Sequence, residues 1–270
     1  MNRAIWSLWL QGEHNAPILQ QACLKSWRRF NPDWEFVCLD ERSASRYLDL
    51  DLERLRRLGA TPQALSDIVR IELLNRYGGV WVDASCLCRK PLSAWLHEVS
   101  ANGFFAFSNP GPDRLVSTWF LYAEQGHPII RHWAGVVSGF WRTSPGRPLD
   151  LEDSPPLLAF LLERYPWLWG VRAVRWIERA YPYFWFHYLF EWVVRRYPEV
   201  RNSHASMPKV SSDIPHRAQM MGLGQLPTPE QKTELGECSA PLYKLDSRLP
   251  FDAAPAGSIL HVLLADGLED

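Results

Sequence analysis

Ala64-Leu-Ser-Asp-Ile-Val-Arg-Ile-Glu-Leu-Leu-Asn-Arg-Tyr-Gly-Gly-Val-Trp-Val-Asp-Ala-Ser85 reads as a charged helix that runs through two glycines into an apolar strand ending on a carboxylate. Thr61 before Pro62 is an N-cap with proline at the first helical position, and Gly78 suits the left-handed residue that ends a helix. The spacing therefore predicts a helix over Pro62 to Tyr77. Leu65, Ile68, Val69, Ile71, Leu73 and Leu74 surround most of its circumference, which predicts burial on more than one side. Its charges then need partners: Glu72 and Arg76 are four apart on one face, Asp67 and Arg70 three apart on another. Val80-Trp81-Val82 follows as a short buried strand with Asp83 at its carboxyl end, where open α/β sheets bind ligands. Ala84, Ser85 and Cys86 are small enough to let a ligand approach the backbone.

Working outward, strands are expected at Ala4 to Leu10, Trp34 to Leu39, Gly103 to Phe107 and Ser117 to Tyr122, with helices at Pro17 to Phe30 and Leu52 to Leu58. This alternation implies an α/β fold, with a mostly parallel sheet in the N-terminal half. Helices are added in the C-terminal half: His127 to Trp141, Pro155 to Tyr165 and Tyr183 to Tyr197. From Ser203 to Ser239 Pro, Gly and polar residues predict a long, partly mobile connection able to close over a site. Ser258 to Leu264 is expected to be extended and to return to the sheet. One domain over residues 1–270 is expected, its α/β part covering 1–125 and its mainly helical part 126–270.

The formal net charge is −1, so nothing suggests electrostatic tracking of nucleic acid. Five cysteines make no even-numbered disulfide framework, and the start has too short an apolar run for a signal peptide, so the cytoplasm is the expected compartment. Cys86 and Cys88 lack the second cysteine pair of a zinc site. No stretch reaches the roughly 18 apolar residues of a spanning helix. Tyr183 to Val194 is densely aromatic and ends in Arg195-Arg196, which reads either as an interfacial helix at the inner face of a membrane or as a core helix with a basic end.

Ser66-Asp67-Ile-Val-Arg70 followed by Gly78-Gly79-Val-Trp-Val-Asp83-Ala-Ser85 resembles the signature of the capsular polysaccharide synthesis glycosyltransferases and their relatives in glycosyltransferase family 32. Ile5-Trp-Ser-Leu-Trp-Leu-Gln-Gly12 is similar to their first strand, and Trp119-Phe-Leu-Tyr-Ala, Tyr183 to Phe190 and Pro241-Leu-Tyr-Lys-Leu245 to later segments. The resemblance implies a GT-A-like fold and retaining transfer of a sugar from a nucleotide sugar, a UDP-sugar foremost. The acceptor it implies is a bacterial surface polysaccharide or a lipid-linked oligosaccharide. Asp67, Arg70 and Asp83 become the catalytic candidates, with Ser66 beside them in the donor site. Trp9, and Trp6 after it, become the candidates for stacking on the base. His187, Lys244 and Arg248 are further donor-site candidates, the last two as cations for a diphosphate leaving group. The relatives end this strand in Asp-x-Asp, which binds ribose and a divalent metal. Here Asp83 and Ser85 stand in those places, so Mn2+ or Mg2+ is expected to be weakly held.

Each residue also has a plainer reading. Asp67 with Arg70 reads equally as a structural ion pair. Asp83 is able to cap the turn that follows it. With 14 tryptophans, most are packing residues, and His187 sits in an aromatic run that suits a core histidine. Two rival functions stay open. Ser85 motivates a catalytically weakened nucleotide-sugar- or glycan-binding protein. Asp67 and Asp83 motivate a glycoside hydrolase, although Arg70 would keep Asp67 ionised and spoil it as an acid.

Overall fold

The glycine pair sets the centre of the fold. The computed structural model describes residues 3–142, 146–148, 156–171, 174, 180–237 and 240–268. Its main sheet is built from β1 (Ala4–Leu8), β2 (Glu35–Leu39), β3 (Gly79–Val82), β5 (Phe104–Gly111) and β6 (Arg114–Ala123), in the order β2-β1-β3-β6-β5. β1 pairs in parallel with both β2 and β3, while β3–β6 and β6–β5 are antiparallel, so the sheet is mixed. The connecting helices are α1 (Ile18–Phe30), α2 (Glu41–Tyr47), α3 (Leu52–Arg57) and α4 (Pro62–Tyr77), with the short α5 (Leu96–Val99) after β4 (Cys86–Cys88).

α4 has the predicted bounds, and its ends show why. Thr61 Oγ1 accepts the Ala64 N–H at 3.2 Å, Pro62 occupies the first turn, and Gly78 closes the helix at φ 68°. Leu65, Val69, Ile71, Leu73 and Leu74 are fully buried, each stabilising the fold by roughly 1.5–3 kcal/mol. Gly79 then enters β3 at φ 97°, and a Cβ on it would lie 2.5 Å from the Ala4 carbonyl oxygen. Only glycine lets β3 lie this close to β1 with that backbone conformation. The buried indoles are tied to main-chain carbonyls: Trp6 Nε1 donates to Gly78 O at 2.9 Å, Trp27 Nε1 to Cys86 O at 2.8 Å and Trp133 Nε1 to Phe186 O at 3.1 Å.

The later part of the chain contains α6 (Pro128–Arg142), β7 (Arg147–Pro148), α7 (Pro156–Arg164), β8 (Ala180–Tyr181) and α8 (Trp185–Arg196). Pro155, the expected start of α7, lies outside the described residues. α8 buries Trp185, Phe186, Leu189, Phe190, Val193 and Val194. Much of its aromatic density is therefore core packing ahead of the basic Arg195-Arg196 end, while Tyr183, just before the helix, is exposed. Among the described residues no helix is long and apolar enough to cross a membrane.

Two expectations are corrected. The segment from Ser203 onward is not a loose connection: it finishes α9 (Pro198–Ser206) and forms α10 (Asp213–Met221) and α11 (Pro229–Gly236), while Ser239 lies outside the described residues. Thr228 and Gln231 make a reciprocal capping box with Pro229 in the first turn, a start signal that the Pro- and Gly-rich composition hid. Ser258 to Leu264 is not a returning strand but opens α12 (Ile259–Leu268). Its continuous apolar run fits either period, and burial of Ile259, Leu260, Leu263 and Leu264 selects the helical one. These residues pack with Leu19 and Cys23 of α1, Leu87 of β4, and Tyr243 of β9 (Leu242–Lys244) in a second apolar cluster. β9 pairs antiparallel with β4, and that pairing brings the late chain to the end of β3.

Candidate functional site

β1 has parallel neighbours on both sides, so the chain leaves it in opposite directions along the sheet, and a crevice opens at the carboxyl ends of β1 and β3. A cavity of about 480 Å³ lies there. Its walls include Trp9, just after β1, Ser66 on α4, Asp83 and Ser85, just after β3, and Lys244 on β9. Five of the sequence candidates thus share one cavity. Trp9 keeps its backbone N–H on Leu39 O at 2.9 Å, while its indole Nε1 is buried without a partner among the described residues. Trp6, the second stacking candidate, is 3% exposed and packs on Tyr47 and Tyr77.

Asp67 and Arg70 sit behind this wall rather than in it. The Arg70 side chain is 4% exposed and bridges two carboxylates, Nη1 to Asp67 Oδ1 and Nη2 to Asp83 Oδ1, each at 2.7 Å. Its guanidinium also lies over the Trp81 ring, 5.0 Å from the centroid, and over Phe186 at 5.6 Å. Asp83 Oδ1 takes a second donor, Trp81 Nε1, at 2.9 Å. Both bonds fall on Oδ1, and among the described residues no side-chain donor bonds Oδ2. Asp83 also holds its own turn: its N–H bonds to Trp119 O, and its carbonyl accepts the Cys86 N–H, both at 2.9 Å. The ion-pair reading of Asp67 and Arg70 is thus present, whereas the turn after Asp83 is closed by its main-chain carbonyl and its carboxylate is taken by Arg70 and Trp81.

Burial pushes Asp67 up to about 7, Arg70 opposes this, and Asp83 adds to it. Its enclosure thus favours the protonated form of Asp67 even with the Arg70 guanidinium beside it. The folded-state pKa is raised above the unfolded value of about 3.9, so this contribution to stability is full below pH ~4 and is lost as pH rises through about 7. From pH 5 to pH 8 the unfolding free energy in urea is expected to fall by roughly 1–3 kcal/mol relative to Asp67→Asn, which cannot titrate. Parallel profiles would show that Asp67 is ionised throughout.

Two candidates lie elsewhere. His187 is half-buried and does not line the cavity, with Nε2 3.3 Å from Thr118 Oγ1 and its ring edge-on to Phe184. Burial, then Arg114 and Arg70, push its pKa down to about 3, which favours the neutral imidazole. Arg248 points to solvent with its side chain 88% exposed and pairs with Asp246 at 2.8 Å. Sequence reasoning missed Gln20, which lines the cavity, is 3% exposed, and has a buried Oε1 without a partner among the described residues. Nothing in the helical pattern of α1 separates it from Gln21. Gln63, Ser247 and Tyr183 also line the cavity, and none carries a motif signal.

The divalent cation that the resemblance implies would meet an altered donor set at the end of β3. Asp83 Oδ1 is engaged twice, and Ser85 Oγ accepts from the Lys244 ammonium, which places a positive charge where a second metal ligand would stand. Among the described residues no group of three His, Cys, Asp or Glu side chains is placed to hold a metal ion.

Residues 1–148 match the family described as Capsular polysaccharide synthesis protein. O-glycosyltransferase braB of Annulohypoxylon truncatum is 27% identical over 160 residues, 52% of this chain and 38% of its own. Glycosyltransferase afumC of Aspergillus fumigatus is 29% identical over 162 residues, 52% of this chain and 40% of its own. The matched part therefore spans about two fifths of these curated relatives. The solved PaToxG Glycosyltransferase aligns over 76% of this chain and 74% of its own at 13% identity, with a TM-score of 0.40.

Proposed function

The chain belongs to the capsular polysaccharide synthesis protein family, and from that premise we propose that it transfers a sugar from a nucleotide sugar, a UDP-sugar, to a hydroxyl of a glycan or lipid-linked glycan. The observation that carries this reading is the cavity at the carboxyl ends of β1 and β3. It combines an aromatic wall at Trp9, a carboxylate at Asp83 and a cation at Lys244. These are complementary in kind to a base, to ribose or sugar hydroxyls, and to a diphosphate. The names of the relatives, a glycosyltransferase and an O-glycosyltransferase, support a hydroxyl acceptor.

The roles follow from placement. Asp83 Oδ2 accepts from donor hydroxyls, and Arg70 fixes its orientation through Oδ1. Asp67 holds the other side of Arg70 and acts as a positioning residue. Transfer proceeds with retention in this reading. Asp83 is the sole acidic residue among the described residues lining the cavity, so no second carboxylate stands across from it as an inverting base. The same observation disfavours a hydrolase, which needs a pair of carboxyl groups flanking the scissile bond.

Thermal shift with UDP, UDP-glucose and UDP-galactose against GDP and ADP tests the reading. A uridine nucleotide is expected to raise Tm in proportion to its occupancy, while the other nucleotides leave it in place. Equal shifts for all nucleotides, or none, would remove UDP-sugars as donors. With the donor found, the coupling of the anomeric proton in the product decides retention against inversion.

A further inference from the structure

Lys244 is held by main-chain pairing between segments far apart in the chain. β9 runs antiparallel to β4 with Lys244 opposite Cys86, and the Leu245 N–H donates to Ser85 O at 2.9 Å. On the other side of the pairing, the Arg89 and Lys90 N–H groups both donate to Pro241 O at 3.0 Å. This register brings the Lys244 ammonium onto Ser85 Oγ, on a residue that is only 6% exposed. Both residues line the cavity that holds Asp83. Among the described residues no carboxylate forms an ion pair with Lys244, and nearby Asp246 is taken by Arg248.

We infer that Lys244, seated on Ser85, binds and neutralises the donor diphosphate in the place where a divalent cation would otherwise do so. This inference rests on the nucleotide-sugar reading above. The charge balance supports the exchange: two carboxylates with a divalent cation sum to zero, and so do Asp83, a neutral Ser85 and the Lys244 ammonium. An aspartate at position 85 would face the ammonium and pair with it. A serine hydroxyl instead accepts one of its protons and leaves the other two donors for phosphate oxygens. During transfer the anomeric C–O bond to the diphosphate breaks with its electron pair on the phosphate oxygen, and the acceptor oxygen forms the new C–O bond. The acceptor proton ends on the released diphosphate. The charge that develops on the leaving group falls where the ammonium is already fixed.

The metal and lysine readings give opposite signs for one substitution. If a cation sat on Ser85, Ser85→Asp would tighten it and strengthen UDP binding in Mn2+. In the lysine reading, Ser85→Asp captures the ammonium and weakens binding. Calorimetric titration with inorganic pyrophosphate and with UDP, each in EDTA and in Mn2+, measures this. Wild type is expected to bind both in EDTA, with less than about a threefold change on adding Mn2+. Lys244→Met, which keeps the aliphatic stem, should weaken both by at least about tenfold with little change in Tm, and Ser85→Asp should weaken both. Ser85→Asp combined with Lys244→Met should regain binding only in Mn2+. Three results would overturn the inference: binding that requires Mn2+ in wild type, a Lys244→Met variant that binds as wild type, or no binding of pyrophosphate or UDP. UDP binding no tighter than pyrophosphate, with both still dependent on Lys244, would sink the nucleotide reading and leave the role of Lys244 standing.

Discussion

Asp83→Asn is expected to lower kcat/KM for the donor sugar by about 10- to 100-fold or more while the protein stays folded. The asparagine side-chain oxygen can still accept from Arg70 Nη2 and Trp81 Nε1, the two donors on Asp83 Oδ1, so the wall behind the cavity keeps its bonds. What is lost is the negative charge of a carboxylate that lines the cavity. A hydrogen bond to a charged group contributes about 1.5–3 kcal/mol, or one to two orders of magnitude in rate if it is made in the transition state. Asp83→Ala should lose as much activity and some stability as well, because it strands the Trp81 N–H. Steady-state kinetics beside urea unfolding separates the two effects. Wild-type kcat/KM in a folded Asp83→Asn variant would mean that the cavity has been assigned the wrong chemistry.

Arg70→Met should carry the largest stability cost, about 3–5 kcal/mol, because it removes the cation from a site that keeps both of its carboxylates. Methionine fills much of the volume over Trp81 and Phe186, so little of the loss comes from a void. Adding Asp67→Asn should recover part of it, since one buried charge then goes with the cation. Arg70→Lys should rescue poorly, because a single ammonium cannot present the two-pronged donor geometry that meets Asp67 and Asp83 together. Urea unfolding of the three variants gives the answer. A loss below about 1 kcal/mol in Arg70→Met would show that the bridge is solvated and worth no more than a surface pair.

The sequence carried the first half of the fold well because its signals are local. Thr61-Pro62, the apolar circumference of α4 and Gly78-Gly79 each act within one or two turns of chain, and α4 spans Pro62–Tyr77 as expected. The C-terminal half was harder for two separate reasons. Thr228-Pro229 was outweighed by its Pro- and Gly-rich surroundings, and Ile259 to Leu264 lacks a period until its buried face is known.

For the site, the sequence alone determined that Asp83 ends a buried strand, that Trp9 belongs to the first strand segment, and that Asp67 and Arg70 share a helix face. Those statements need only the periods of strand and helix. Tertiary structure decided the rest. It drew Arg70 out of the cavity and into the bridge behind it, left His187 half-buried off the cavity, turned Arg248 to solvent, and set Lys244 on Ser85 across 159 residues of chain. The physical reason is that a buried charge must find its counter-charge wherever the packed chain supplies one, and a three-residue pairing such as β4–β9 leaves too short a pattern to be read before the chain folds.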